Sequence, residues 1–245
     1  KEIVFGEFHN KTKNYFSGPK SELPEESGGW CDYMVELEFF KSMPEGIRKD
    51  AWFLTKVTMT GQERNPETGR YPLLNWDDPA TNQKHPYWKK NIESSDWVFN
   101  YDDGYYETKG ISSASGKTRM IFRYADILLL YAEAVAYGTK SIDDLAFDCM
   151  WRVQERAGVP LISKDVTKEY FQKAVLDERR WETAGMEHSC MGRFFTMQRH
   201  EILHLQKNYR DAAELSLNPN LTLSEEFYYF PIPDNELLIV PGLKD

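Results

Sequence analysis

The sequence predicts a mainly α fold, in which helical hairpins of tetratricopeptide-like length accompany a large loop-rich region carrying short strands. Three observations predict it. Residues 118 to about 215 read as successive helices with caps and stops. Residues 1–117 are interrupted repeatedly by Gly, Pro, Asn and Asp, which form loops rather than long helices. The 245 residues are 41% apolar and 28% charged, enough to bury a sizeable core. The expected organisation is a loop-rich, ligand-binding part over 1–117 and a helical part over 118–245 with an extended C-terminal segment, together one domain.

In the first part, IVFGEF reads as a short strand and VELEFFKSM as one helix. In the second, residues 119–137 predict a helix. Arg123, Asp126 and Glu133 fall on one side, and nearly everything else is apolar or Ala, so burial against several neighbours is expected. Gly138 is placed to end it. The next helix follows Ser141 as N-cap, with Asp144 three residues on, and stops at Gly158-Val159-Pro160. The two make one helical hairpin of roughly tetratricopeptide length. A third helix runs from Thr167 to about Ala184, broken by Gly185, and a fourth covers MGRFFTMQRHEILHLQKNY.

Composition narrows the partners. The net charge is −9, and no basic run interleaves with aromatics, so nucleic acid is not an expected partner. The longest apolar stretch, Ile127–Ala132, is too short to cross a bilayer. No signal peptide is visible, and the missing initiator Met suggests a processed chain or a fragment. Cys31, Cys149 and Cys190 are widely spaced and odd in number, which argues against a disulfide framework.

One motif points to catalysis. His200-Glu201-Ile202-Leu203-His204 matches the H-E-x-x-H of zinc peptidases, whose two His lie one helical turn apart. A third ligand is not evident. Lys207 and Arg210 stand where the extended form needs Gly and His, and Glu225 and Glu226 lie in a loop-like stretch. The motif therefore reads as chance, and neither metal nor cofactor is expected. The pairs Asp77-Asp78 and Asp102-Asp103 read as turn formers. DERR, at 177–180, reads as ion-pairing.

The order of segments resembles a known family. RYADILLLYAEAV (123–135), VQERAGVP (153–160), DERRWETAGMEHSCMGRF (177–194), FYYFPIPDNELLIVPGL (227–243) and GGWCDYMVELEFF (28–40) each resemble a segment of the SusD/RagB family of outer-membrane nutrient-binding lipoproteins. Departures occur at Met186-Glu187, at His188 and Ser189, and at Arg193-Phe194-Phe195. The resemblance covers only the C-terminal half of such proteins. It implies a fragment of a longer, lipid-anchored cell-surface protein that captures glycan, or peptide in RagB-type members, and passes it to a SusC-like TonB-dependent transporter. It implies no catalysis.

A glycan site needs an aromatic ring to stack on a sugar's C–H face and polar neighbours for its hydroxyls. Nine aromatics crowd into 71–106: Tyr71, Trp76, Tyr87, Trp88, Trp97, Phe99, Tyr101, Tyr105 and Tyr106. About two-thirds are expected to be core. Trp30, after two glycines, is the first candidate platform, with Tyr33 beside it. Trp76 is the second, flanked by Asn75 and Asp77, with Tyr71 nearby.

Overall fold

The computed structural model describes residues 2–10, 12, 16–17, 20–90, 97–100, 102–108, 114–185, 187–205, 210–217, 231–240 and 242. In chain order the strands and helices are β1 (Ile3–Glu7), β2 (Phe16–Ser17), α1 (Leu37–Ser42), α2 (Ile47–Trp52), β3 (Phe53–Leu54), β4 (Lys56–Thr58), β5 (Leu73–Asn75), β6 (Tyr87–Trp88), β7 (Trp97–Phe99), β8 (Tyr106–Thr108), β9 (Ala114–Ser115), β10 (Arg119–Arg123), α3 (Tyr124–Tyr137), α4 (Asp144–Ala157), α5 (Lys168–Thr183), α6 (Glu187–Arg199), α7 (Ala212–Leu217) and α8 (Asp234–Ile239). The fold is mainly α, and the short strands form antiparallel pairs, β1 with β10, β2 with β9, β3 with β6, β4 with β5 and β7 with β8. The chain forms two compact units, Lys1–Arg193 and Phe194–Asp245.

In the first unit, α3 packs on α4 and α5. Ala125, Ala132 and Ala136 are buried and let the helices approach closely around Leu129, Met150, Phe171 and Val175. Asp143, not Ser141, caps α4; its carboxylate accepts the Ala146 N–H at 2.8 Å. Gly158 ends α4 in the left-handed region (φ 70°). Thr167 caps α5, and Gly185 (φ 66°) follows its end.

Two expectations for residues 119–137 are corrected. Residues 119–123 form a strand, because β1 supplies the backbone partners, with Ile3 opposite Arg123 and Glu7 opposite Arg119. The helix begins only at Tyr124, where the Asp126 carboxylate accepts the Arg123 N–H at 2.8 Å. Nor is that helix buried on most of its circumference. Tyr124, Ile127, Tyr131 and Tyr137 are exposed, since α4 and α5 cover the opposite side.

Buried charges tie these helices to α2. Arg48 Nη1 donates to Glu178 Oε1 at 2.5 Å and to Glu182 Oε2 at 3.1 Å. Arg123 donates to Glu182 Oε1 at 2.6 Å and, through its second amine, to the Glu182 carbonyl at 2.6 Å. Arg156 joins Glu182 to Glu2. Burial pushes the Glu182 carboxyl upward, but the guanidiniums of Arg123, Arg156 and Arg48 overcome it and hold the group below its usual range. Glu178 goes the other way, raised by burial that Arg48 only partly offsets.

Two smaller cores anchor the loop-rich stretch. One gathers Leu23, Leu54, Val57, Met59, Tyr87 and Tyr106; the other gathers Val35, Phe39, Met43, Trp52 and Phe53. Of the nine crowded aromatics, Tyr87, Tyr105 and Tyr106 are buried, and Tyr71, Trp76 and Trp88 are half-buried. The side chains of Trp97, Phe99 and Tyr101 lie outside the described residues.

In the second unit, the expected fourth helix stops early. Helix α6 ends at Arg199, and Glu201 adopts φ 56°, a left-handed conformation that a helix interior cannot contain. Buried Leu203 begins a 3-10 turn instead. The C-terminal segment is not extended throughout. Pro233 leads into α8, whose first turn carries Asp234 and Glu236 at its positive end.

Candidate functional site

Trp30 and Tyr33 lie on a segment held by its main chain. Pro24 starts a 3-10 turn over Glu25–Ser27, and Gly28 (φ 85°) reverses the chain. At Gly29 a Cβ would come within 2.2 Å of the Leu23 carbonyl oxygen, so only glycine passes there. The returning segment is then clamped, with Trp30 N–H donating to Lys20 O at 2.7 Å, Cys31 N–H to Leu23 O at 3.0 Å and Tyr33 N–H to Ser21 O at 2.9 Å. Leu23 is fully buried beneath. Ser27 Oγ donates to Thr58 O at 2.8 Å and lies 2.9 Å from the Tyr106 hydroxyl, which fixes the turn to the core. Against this fixed backbone Trp30 is 53% exposed and Tyr33 64% exposed. The Lys20 ammonium stands 5.5 Å from the Trp30 ring centroid. Half-buried Cys31 turns toward the core below, and burial pushes its thiol upward.

Near the end of β5 lies a second feature, a cleft of about 300 Å³ lined by residues of α1, α2, β3 and β4 with Glu45, Thr55, Lys89 and Gly104. Asn75 lies opposite Lys56 in the β4–β5 pair, and its amide oxygen accepts from Lys56 Nζ at 2.5 Å. Trp76 does not project freely as its turn suggested. It packs edge-on against Phe40, with centroids 5.9 Å apart, because α1 presents that ring to it. Phe40 in turn meets Phe53 edge-on at 5.2 Å. Asp77 is exposed. Tyr71 is half-buried, with the Arg64 guanidinium 4.0 Å from its ring centroid.

Asn75 and Trp76 thus touch residues that line the cleft, whereas Trp30 and Tyr33 lie on a different segment. Sequence reasoning missed the lysines of the cleft. Lys49 Nζ donates to Glu45 at 2.6 Å and to Met43 O at 3.1 Å, and sits 4.4 Å from the Phe40 centroid. Lys89 Nζ lies 3.3 Å from Asp50 O, and burial lowers its ammonium pKa despite the attraction of Asp50. The alternation of Lys56 with Val57 in a strand was the one available signal for a side chain facing away from the core.

The H-E-x-x-H residues do not share a helical face. His200 follows the end of α6, Glu201 turns the chain, and exposed His204 lies in the 3-10 turn. Among the described residues no group of three His, Cys, Asp or Glu side chains is placed to hold a metal ion.

Comparison with known proteins decides the lineage. The sequence profile of the SusD family matches residues 1–245. The chain belongs to the SusD family. No curated protein matches the sequence. Among solved structures, this SusD-family chain is similar to a SusD superfamily protein from Parabacteroides distasonis (TM-score 0.68, 17% identity, 98% of this chain and 48% of that one). It is also similar to surface glycan-binding protein A from Bacteroides thetaiotaomicron (TM-score 0.57, 15% identity, 99% of this chain and 50% of that one). The latter is also known in complex with laminarihexaose, and that structure aligns with TM-score 0.58, 18% identity and the same half coverage of its chain. The chain spans about half the length of these proteins.

Proposed function

We propose that this SusD-family chain forms part of a cell-surface glycan-binding protein. Its role is to hold an oligosaccharide for a SusC-like TonB-dependent transporter, without catalysis, in a protein lipid-anchored at the outer membrane. The observation that carries the glycan reading is Trp30: a largely exposed indole on a backbone clamped by three main-chain hydrogen bonds and a buried leucine. The clamped backbone spares the main-chain part of the ordering cost, so stacking on the apolar face of a sugar costs only the freedom of the indole itself. Tyr33 extends the same segment. The likeness in fold to a surface glycan-binding protein crystallised with laminarihexaose supports the reading. Among the described residues no helix is long and apolar enough to cross a membrane.

Stacking and a few hydrogen bonds on an open surface support affinities of about micromolar to millimolar. Calorimetry against a panel of neutral oligosaccharides, laminarihexaose included, tests the reading. Trp30→Ala is expected to weaken binding roughly tenfold or more and to leave the melting temperature nearly unchanged. Early melting with normal binding would place the ring in the fold and not in the site. Binding of extended peptides in place of any glycan would favour the RagB-type function.

A further inference from the structure

We propose that the cleft beside β4 binds the anionic group of an acidic sugar residue, with Lys56 and Lys89 as its cationic contacts. The proposal rests on the glycan-binding reading and names the kind of sugar this second subsite would take. A neutral-sugar subsite needs a free aromatic face. Here the Lys49 ammonium lies over Phe40 at 4.4 Å, and Phe53 is buried behind it. Binding energy in the cleft must therefore come from its polar groups.

Those groups divide unevenly. Glu45 is engaged by Lys49 at 2.6 Å, and Asp50 acts on Lys89. The Lys56 charge is met by the neutral amide of Asn75 at 2.5 Å. Its stem is positioned as well as its head. Gly104 (φ 73°) leaves room for it, since a Cβ there would lie 3.1 Å from Lys56 Cγ. Lys89 is partly desolvated, which lowers its ammonium pKa and strengthens its attraction to any anion that replaces water. A carboxylate or sulfate group in the cleft would add charge-assisted contacts to those that Lys56 makes with Asn75 and Lys89 with Asp50. Thr55, also lining the cleft, offers a hydroxyl to the rest of the ring. The chain's net charge of −9 repels long polyanions, so short acidic oligosaccharides are the suitable probes.

The experiment is calorimetry of the whole chain with trigalacturonic acid, its fully methyl-esterified form and a sulfated galacto-oligosaccharide, each against wild type, Lys56→Met and Lys89→Met. Methionine keeps the apolar stem, and thermal melts verify that each variant folds. We expect the free acid to bind roughly tenfold tighter than its ester, and each Met variant to remove most of that difference. Tighter binding of the sulfated sugar, equally dependent on the lysines, would support the proposal and name sulfate as the anion. Equal binding of acid and ester, or binding indifferent to both substitutions, would overturn it. If neutral glycans bind through Trp30 while acidic ones gain nothing, the glycan reading stands and this proposal falls. If no sugar of either kind binds but acidic peptides do, both fall.

Discussion

The helices α2 to α5 and the ion pairs at Arg64 and Arg70 use charge in opposite ways. Among the helices, charge is buried and shared. Glu182 is almost inaccessible and meets three guanidiniums at once. At Arg64 and Arg70 charge is open to solvent, with Arg64 on Glu107 at 2.8 and 2.9 Å and Arg70 on Asp103 at 2.5 Å. A buried, shared charge cannot be moved without unpairing others, so it fixes geometry. An exposed pair exchanges readily with water and leaves its neighbourhood free to meet a ligand.

The sharpest break of this contrast is Glu182→Gln. The amide keeps the shape but leaves three guanidiniums, two of them buried, around a neutral acceptor. The expected loss is about 3–5 kcal/mol in urea unfolding. The pH dependence sharpens it further. The folded pKa of Glu182 lies below its unfolded value, so its contribution is complete above about pH 4.3 and fades as pH falls through the folded value. Glu178 has the opposite sign. Its raised pKa favours folding at low pH, and that contribution is lost as pH rises through the folded value. Glu182→Gln should therefore flatten the acid side of the stability profile while Glu178 continues to slope it the other way. An unchanged acid limb would show that the network does not carry the helices.

Gly185→Ala comes next. The residue has φ 66°, and a Cβ would lie 2.5 Å from Trp88 Cε3, in the ring that lines the second small core. Left-handed strain and overpacking together should cost about 2–3 kcal/mol, read as an earlier thermal transition. Gly69→Ala is the matched control. It has nearly the same φ, at 68°, with nothing within 4 Å, so it isolates the backbone contribution at about 1 kcal/mol. Equal losses at the two positions would mean that Trp88 yields easily.

How much of this was legible in the sequence follows from the same contrast. Helices α4 and α5 could be read because local chemistry sets them: a side-chain cap at Thr167, a left-handed stop at Gly158. The strand at 119–123 could not, since its partner lies more than a hundred residues away in β1. The end of α6 was hidden because Glu201 adopts a conformation that its residue type does not announce. Of the candidate site, Trp30 was legible through Gly28-Gly29, whose backbone demands are local. The packing of Trp76 on Phe40 was not, because α1 and the end of β5 meet only in three dimensions. The lysines of the cleft belong to that same class.

Arg64→Ala is the smallest expected effect and the finest test. Arg64 is exposed, its bidentate pair with Glu107 is open to water, and such pairs contribute little to stability. The melting temperature should fall by about two degrees or less. The substitution also uncovers a ring, because the guanidinium that leaves stands 4.0 Å from the centre of Tyr71. If sugar stacked on that face of Tyr71, removing the guanidinium would expose the platform and tighten binding. Trp30 already offers a largely exposed indole on a clamped backbone, so glycan affinity is expected to stay unchanged when Arg64 is removed. Calorimetry on Arg64→Ala, beside Trp30→Ala, separates the two aromatics. A gain in affinity at the first with no loss at the second would move the stacking surface from Trp30 to Tyr71, and with it the centre of the site from the glycine turn to the loop before β5.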